Sequence, residues 1–250
     1  MLSKTLVKYI QNLSRKKFRD EEKLFIAEGP KVVQELTNIV PDKLKTLYAT
    51  QKWCDENENI LTKIASDKIT IITDDELKQV SSLKTANEVL AVFHQFSELN
   101  AVETKGKLSL MLDCIQDPGN MGTMIRIADW FGIENIICSE DCVDMYNPKL
   151  IQSTMGSIAR VKIIYTDIKQ WLEDHSGIPS YAATLKGKNI HEMSAIKEGV
   201  IIIGNESKGI SADVLNNSSE KITVPKIGKA ESLNAAVAAG IILSQLAIKK

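Results

Sequence analysis

Cysteines, aromatic residues and net charge are all scarce in this sequence. Its 250 residues include 4 cysteines, 5% aromatic residues and a formal net charge of -1. The cysteines Cys54, Cys114, Cys138 and Cys142 are too scattered for a disulfide framework, so we expect a reducing compartment, the cytoplasm. No second pair of cysteines or histidines lies near Cys138 and Cys142, and we therefore expect no metal site.

Long apolar runs are absent as well. Residues 1–17 are polar and basic, without the apolar core of a signal peptide. No run approaches the roughly 20 apolar residues that are needed to cross a bilayer. We therefore expect neither export nor a membrane segment. The content of 44% hydrophobic and 25% charged residues is that of a globular protein.

Basic residues are concentrated near the N-terminus despite the small net charge. Arg15, Lys16, Lys17 and Arg19 lie together, and such a cluster can neutralise the phosphates of RNA. The three acidic residues 20–22 follow directly and can pair with the cluster on a solvated helix face. The cluster alone leaves both interpretations open.

The hydrophobic pattern predicts a small N-terminal α/β module and a larger α/β domain. In the module it predicts helices over 2–12, 31–37, 54–65 and 75–80 and strands over 44–49, 69–73 and 89–96. Residues 97–107 are polar and are interpreted as a linker, which divides the chain into domains 1–102 and 103–250.

The second domain alternates strands with helices. Strands are predicted over 108–115, 135–138, 161–165, 180–184, 200–204 and 221–224, and the last helix over 232–250. Continuous apolar strands such as 200–203 are typical of a sheet that is covered on both faces. The alternation predicts a mostly parallel sheet, with ligands beyond the carboxyl ends of its strands.

The first segment that can carry chemistry is 117–126, directly after an apolar strand. Its proline and glycine predict a strand-to-helix turn, and Asn120 is a candidate N-cap of the helix that follows. Arg126 lies in an otherwise apolar stretch, where a charge is rarely buried without a partner. This arginine either extends from the helix into solvent or serves a site, and the segment alone does not decide.

The second segment, residues 204–209, follows the strand 200–203. Its two glycines permit close approach of the backbone to a ligand. The dinucleotide pattern Gly-x-Gly-x-x-Gly and the phosphate-loop Gly-Lys-Ser/Thr are both absent. Glu206 either accepts hydrogen bonds from a nucleobase, or orients an arginine, or belongs to an ordinary turn.

The third segment, residues 224–234, leads into an alanine-rich helix. Ser232 is a candidate N-cap for that helix. A loop that is held between Pro225 and a capped helix can present backbone N–H and C=O groups to an adenine ring. The alanine-rich face permits close packing against another helix or a second subunit.

Together and in this order, the three segments resemble the signature motifs of the SpoU (TrmH-like) family of RNA 2'-O-ribose methyltransferases, in the SPOUT superfamily. The resemblance covers about residues 108–250, while residues 25–29 resemble a ribosomal-protein-like RNA-binding module often joined to these enzymes. Two departures are mild: Val224 replaces the usual isoleucine, and Lys226 replaces an apolar residue. Neither departure removes a functional group.

The resemblance implies a C-terminal domain with a parallel sheet and a deep trefoil knot, a homodimer, and S-adenosylmethionine as methyl donor. Residues that it implies for catalysis are Asn120, Arg126, Glu206, Ser232 and Asn234. Residues that it implies for donor binding are Thr184, Gly204, Val224, Ile227 and Leu233. Within this hypothesis, Arg126 contacts the phosphate beside the target ribose, and either helps to remove the hydroxyl proton or stabilises developing negative charge.

The implied substrate is structured RNA, ribosomal rather than transfer RNA by family analogy. Arg15, Lys16, Lys17 and Arg19 are the candidate RNA-binding residues of the N-terminal module. The alternative is a non-catalytic RNA-binding ribosome-assembly factor on the same fold. Because all five implied catalytic residues are present, the sequence favours the enzyme.

Overall fold

The computed structural model describes residues 1–247. The strands are β1 (Leu24–Glu28), β2 (Leu44–Ala49), β3 (Ile69–Ile71), β4 (Val89–His94), β5 (Leu108–Asp113), β6 (Asn135–Ser139), β7 (Lys162–Thr166), β8 (Ser180–Asn189), β9 (Gly199–Gly204) and β10 (Glu220–Thr223). The helices are α1 (Lys4–Asn12), α2 (Lys16–Glu22), α3 (Pro30–Ile39), α4 (Gln51–Glu56), α5 (Glu58–Leu61), α6 (Asp74–Val80), α7 (Pro118–Trp130), α8 (Pro148–Thr154), α9 (Ile168–Asp174), α10 (Ala212–Asn217) and α11 (Ala235–Leu246).

The chain forms two compact units. Residues 1–97 and 144–159 make up the first, and residues 98–143 together with the described residues from 160 onward make up the second. The predicted division into 1–102 and 103–250 concerns function and stays a prediction. The units differ from it in two respects: the N-terminal part of the first unit ends at residue 97, and residues 144–159 of the second half of the chain also belong to this unit.

The first unit is built on a four-stranded sheet in the order β1–β4–β2–β3. β4 is antiparallel to β1 and β2, while β3 is parallel to β2. Apolar side chains from the sheet and from α1 and α6 form one buried cluster. Its members include Ile10, Leu13, Leu24, Ile26, Ile72, Leu77, Val80, Leu90 and Val92. Burial of each large aliphatic side chain stabilises the fold by roughly 1.5–3 kcal/mol.

The second unit is built on a six-stranded sheet in the order β10–β8–β9–β5–β6–β7. Every neighbouring pair in it is parallel, which confirms the predicted parallel α/β fold. The central strands β5 and β9 are buried along almost their whole length, as the continuous apolar runs predict. α7 and α11 pack against each other.

Most predicted elements are present, and the differences have local causes. The predicted helix over 54–65 is two short helices, because the Asn57 side chain donates to the Trp53 carbonyl at 2.8 Å where α4 ends. α2 and β1 were not predicted as elements. They are separated by Lys23 alone, in the left-handed conformation with φ 53°, and no glycine or proline marks that break.

Two further elements differ at their ends. β8 extends beyond its predicted end to Asn189, because it pairs with β10 a second time after an irregularity. The last helix begins at Ala235, three residues after the predicted Ser232, and is described to Leu246. The end of the predicted helix, residues 248–250, lies outside the described residues. Within residues 1–247, no helix is long and apolar enough to cross a membrane.

Candidate active site

The three predicted segments meet at one edge of the six-stranded sheet. β5, β9 and β10 run parallel within this sheet, so their carboxyl ends lie on the same side. Segments 117–126, 204–209 and 224–234 follow these three strands in turn. The first two segments start side by side, because Asp113 at the end of β5 is the pairing partner of Gly204 at the end of β9.

The first segment begins α7, and its N-cap is Asp117. The Asp117 carboxylate accepts from the Asn120 backbone N–H at 2.8 Å, and Pro118 takes the first helical position. The prediction that Asn120 caps this helix is therefore wrong. Asn120 lies in the first turn instead, where its side chain projects away from the helix end and makes contacts elsewhere.

A hydrogen-bonded chain of side chains joins the three segments. Asn120 Nδ2 donates to Glu206 Oε1 at 2.6 Å, and Asn234 Nδ2 donates to Asn120 Oδ1 at 2.9 Å. We call this chain the Asn–Glu network; it consists of Asn120, Glu206 and Asn234. Asn234 donates to Asn120, and Asn120 donates to the Glu206 carboxylate. Hydrogen bonds that follow one another in this way reinforce each other.

Asn234 also begins α11. Its Oδ1 accepts from the backbone N–H groups of Ala236 at 2.9 Å and Val237 at 3.2 Å, so Asn234 is the N-cap. The prediction that Ser232 caps this helix is wrong, because the helix starts later. One side chain thus fixes both the helix end and the Asn–Glu network.

Arg126 and Ser232 are not brought into this network. Both residues are exposed, and the described part of the chain gives neither side chain a hydrogen bond or ion pair. Glu206 Oε2 likewise accepts no hydrogen bond from residues 1–247. The edge of the sheet therefore carries one guanidinium, one hydroxyl and one carboxylate oxygen that can bind a ligand.

The residues implied for donor binding lie within β8, at the end of β9 and in the loop after β10. In β8 the pairing with β10 jumps from Ala182 to Lys188, so residues 183–187 bulge out beside the sheet. Thr184 lies in this bulge, and its hydroxyl donates to the Lys186 carbonyl at 2.7 Å. Gly204 lies where the backbone of the following turn passes very close. A Cβ at this position would lie 2.3 Å from the Ile210 nitrogen, so only glycine fits.

Loop 224–234, which carries Val224, Ile227 and Leu233, is open on its surface. The Ile227 side chain is fully exposed, and Leu233 and Leu185 are 48% and 73% exposed. Among residues 1–247, no backbone N–H of residues 226–233 donates a hydrogen bond. Apolar side chains and free backbone donors and acceptors together suit a flat heteroaromatic ring.

Cys114 lies between β5 and the first segment, in a left-handed conformation with φ 55°. Its N–H donates to Ser139 Oγ at 2.8 Å, and a hydrogen bond with Asp141 raises the pKa of its thiol to about 11. All four cysteines are free thiols. Within the described residues, no group of three or more His, Cys, Asp or Glu side chains is placed to hold a metal ion.

The predicted RNA-binding role of Arg19 is contradicted by its position. Arg19 is 2% exposed; its guanidinium donates to the Leu13 and Ser14 carbonyls at 2.9 and 2.7 Å and pairs with Asp144 at 2.5 Å. A guanidinium that is buried, with both terminal nitrogens bound within the protein, cannot contact phosphate. Arg15, Lys16 and Lys17 are exposed, and their role stays a prediction.

Another basic surface of the first unit was missed. Lys43, Lys45 and Lys68 lie where the parallel strands β2 and β3 begin, beside His94 at the end of the antiparallel β4. Burial lowers the pKa of His94, and the positive charges of Lys45, Lys68 and Lys43 lower it further. We call these three lysines the sheet-edge lysines. Lysines at the starts of two strands were the available signal, but only the strand order shows that they converge.

An all-parallel sheet whose polar loops meet at the carboxyl edge is the architecture of ligand-binding α/β domains. Residues 107–244 match the family model of the SpoU rRNA methylase family, and residues 4–91 match that of the MRM3-like substrate binding domain. The first match alone covers more than half of the chain. This protein belongs to the SpoU rRNA methylase family, within the SPOUT superfamily.

The chain is also similar to individual proteins over nearly its full length. The chain is 30% identical over 248 residues to the 23S rRNA (guanosine(2553)-2'-O)-methyltransferase RlmP of Bacillus subtilis, covering 96% of this chain and 95% of that one. It is similar to a solved structure of a TrmH-family protein from Porphyromonas gingivalis, with a TM-score of 0.83, 32% identity and 98% of each chain covered. It is also similar to the AdoMet-bound rRNA methyltransferase from Sinorhizobium meliloti, with a TM-score of 0.84, 27% identity and coverage of 98% and 95%.

Proposed function

We propose that this protein transfers a methyl group from S-adenosylmethionine to a ribose 2'-hydroxyl of ribosomal RNA. The observation that carries the proposal is the Asn–Glu network, which joins all three family segments through side chains. Family membership and the full-length similarity to a 23S rRNA 2'-O-methyltransferase support it. They also favour ribosomal RNA over transfer RNA.

The residues at the sheet edge fit S-adenosylmethionine. Loop 224–234 offers unpaired backbone groups and the exposed Ile227 and Leu233, which suit the edge and the faces of an adenine ring. We propose that the main chain at Gly204, Val224, Ile227 and Leu233 binds it, with Thr184 beside them. When bound, S-adenosylmethionine supplies an electrophilic methyl group on a sulfonium, so the reaction needs no metal.

The protein's own groups position the RNA and handle the proton of the ribose hydroxyl. The exposed Arg126 guanidinium has a planar fork of donors that suits the phosphate beside the target ribose. Glu206 Oε2 can accept a hydrogen bond from the hydroxyl or from Arg126, while Asn120 holds the other carboxylate oxygen. Ser232 and Asn234 complete the site from the third segment. Held in place beforehand, these groups lower the barrier by orientation and charge stabilisation.

The first unit is proposed to select the RNA. Its match to a substrate binding domain over residues 4–91 supports this role. Two groups of basic residues are candidates for phosphate contacts: the exposed Arg15, Lys16 and Lys17, and the sheet-edge lysines, of which Lys45 is exposed and the other two are half-buried. Within residues 1–247 no ion pair with a carboxylate neutralises the sheet-edge lysines. Lys68 Nζ donates to the Leu44 carbonyl at 2.6 Å and Lys45 Nζ to the Tyr9 hydroxyl at 3.4 Å.

We further propose a homodimer, a deep trefoil knot in the C-terminal domain and a cytoplasmic location. Trp130 on α7 and Val237 on α11 are 83% and 50% exposed on neighbouring helices, and a second copy of the chain would cover them. The position of β8 between β9 and β10 agrees with a knotted path. Free cysteines and an RNA substrate fit a reducing compartment.

Transfer of labelled methyl to unmodified total RNA tests the reaction. We expect label in ribosomal RNA, recovered after alkali as a 2'-O-methyl dinucleotide, because alkali cannot cleave beside a methylated 2'-oxygen. Label that alkali releases, or label attached to a nucleobase, would contradict ribose methylation. Absence of label together with tight RNA binding would instead support the non-catalytic assembly factor.

A further inference from the structure

The side chain of Asn205 links the end of β5 to the turn that carries Glu206. Asn205 Nδ2 donates to the Cys114 carbonyl at 2.8 Å. Its Oδ1 accepts from the backbone N–H groups of Ser207 at 2.9 Å and Lys208 at 3.0 Å. One amide therefore holds two segments that are far apart in sequence, and only this orientation of the amide satisfies all three bonds.

The turn itself is closed by the backbone of the same residue. Asn205 N–H donates to the Gly209 carbonyl at 3.0 Å, and Gly209 N–H donates back at 2.9 Å. Gly209 has φ 73°, and Gly204 has no room for a Cβ. Every polar group of Asn205 is thus engaged, so the turn has little freedom to move relative to β5.

Cys114, the residue directly after β5 to which Asn205 is bound, is also held in place. Cys114 is held at its N–H by Ser139, at its carbonyl by Asn205 and at its thiol by Asp141. A residue other than glycine with φ 55° is costly, and such conformations persist where the surroundings fix them. The strained residue therefore presents its carbonyl in one direction, toward the Asn205 amide.

We propose that Asn205 is a positioning residue that acts through Glu206. The inference rests on the proposed function, since it assigns Asn205 the task of placing the Glu206 carboxylate against Asn120 for methyl transfer. With the turn tethered to β5, Glu206 Oε1 lies 2.6 Å from the Asn120 amide. Without the tether, the carboxylate shifts and the Asn–Glu network opens.

Two substitutions separate the two tasks of the side chain. Asn205→Asp keeps an oxygen for Ser207 and Lys208 but places a second oxygen against the Cys114 carbonyl, so the turn stays closed and the tether is lost. Asn205→Ala loses both. Asn216→Asp, on an exposed position of α10, makes the same charge change away from the site and serves as the matched control.

The rate of single-turnover methylation is the first readout. We expect Asn205→Asp to lower it about 10²-fold, the scale of a displacement of about 1 Å in a catalytic group, with Asn216→Asp unchanged. In a Glu206→Gln background the same Asn205→Asp change should cost less than about twofold, because both changes disable one network. An equal loss in both backgrounds would overturn the proposal.

Hydrogen exchange of the Ser207 and Lys208 amides, measured without RNA, is the second readout. We expect protection in the wild type and in Asn205→Asp, and loss of protection in Asn205→Ala. Unchanged protection in Asn205→Ala would show that Asn205 does not hold the turn and would overturn the proposal. If the wild type transfers no methyl group, the proposed function fails, whereas the exchange result still decides whether Asn205 holds the turn that carries Glu206.

Discussion

The Asn120 amide nitrogen lies 2.6 Å from Glu206 Oε1, although the two residues are 86 positions apart in the chain. The contact forms because the segments after β5 and β9 leave the sheet side by side. It binds one carboxylate oxygen and leaves the other open to a ligand.

Glu206→Gln should slow methyl transfer while leaving the network's shape intact. A glutamine carbonyl can still accept from Asn120, but the negative charge is lost. We expect the single-turnover rate to fall about 10²-fold, the typical contribution of one positioned acid or base. Binding of S-adenosylmethionine, measured by calorimetry, should change less than twofold. A normal rate would remove Glu206 from the proposed site.

Arg126→Ala should abolish turnover and spare donor binding. Arg126 is exposed, so its loss does not disturb the core of α7. Arg126→Lys is the informative partner, because lysine keeps the charge and loses the planar fork that suits phosphate. We expect partial recovery with lysine if the charge acts on a phosphate. Full single-turnover activity in the alanine variant would contradict the assignment.

The two basic surfaces can be compared directly by salt dependence. One triple variant replaces Arg15, Lys16 and Lys17 with alanine; a second replaces Lys43, Lys45 and Lys68; a control replaces Lys52, Lys63 and Lys78, whose ammonium groups are bound by Glu88, Asn38 and Asp75. All three variants lose the same charge. A surface that contacts phosphates should weaken RNA affinity and reduce the slope against log salt by up to about 2.

The control separates local contacts from the general effect of charge. An equal loss of affinity in all three variants would mean that only net charge matters. A loss confined to one surface would locate the RNA backbone there. If the variant that lacks the sheet-edge lysines binds RNA with unchanged affinity, these lysines do not contact RNA.

Arg19→Ala should destabilise the protein rather than weaken RNA binding directly. The substitution leaves the Asp144 carboxylate, 14% exposed, without its partner. Breaking a buried pair in this way costs about 3–5 kcal/mol. Lys17→Ala is the control, because its 4.0 Å pair with Glu21 is solvent-exposed and should contribute less than about 0.5 kcal/mol. Urea unfolding measures both, and equal midpoints would contradict the structural role.

Trp130→Glu should convert a homodimer into monomers. A charge at the centre of an apolar contact is costly, whereas on a free surface it is tolerated. Ile71→Glu, at a 55% exposed position on β3, provides the matched control. Analytical ultracentrifugation distinguishes the outcomes. A wild type that sediments as a monomer, or a dimer that survives Trp130→Glu, would refute this interface.

Sequence patterns predicted strands and the order of the chemical segments better than they predicted helix ends. β2 has its predicted bounds, and its apolar residues Leu44, Leu47 and Ala49 lie between the polar residues Lys43 and Thr50. The caps were misplaced because Asp117, Asn120, Ser232 and Asn234 are all good capping residues. Which of them caps a helix depends on the backbone angles and on which side chain makes contacts with distant residues. A local sequence pattern encodes neither.

Arg19 shows why the basic cluster could not be divided from the sequence. Four neighbouring cations look alike there, yet α2 turns one of them inward to Asp144, which is 125 residues away. The sheet-edge lysines show the converse. They are scattered in sequence and converge only through strand pairing, which no local pattern encodes.

The placement of residues 144–159 with the first unit limits how this gene can be divided or recombined. A fragment that ends at residue 102 carries Arg19 without Asp144, and Phe25 without the Tyr146 ring whose centroid lies 5.1 Å away. Such a fragment buries an unbalanced charge beside a gap in its aromatic core. The unit that we propose to select the RNA therefore cannot be exchanged between relatives as an N-terminal fragment alone; residues 144–159 must be exchanged with it.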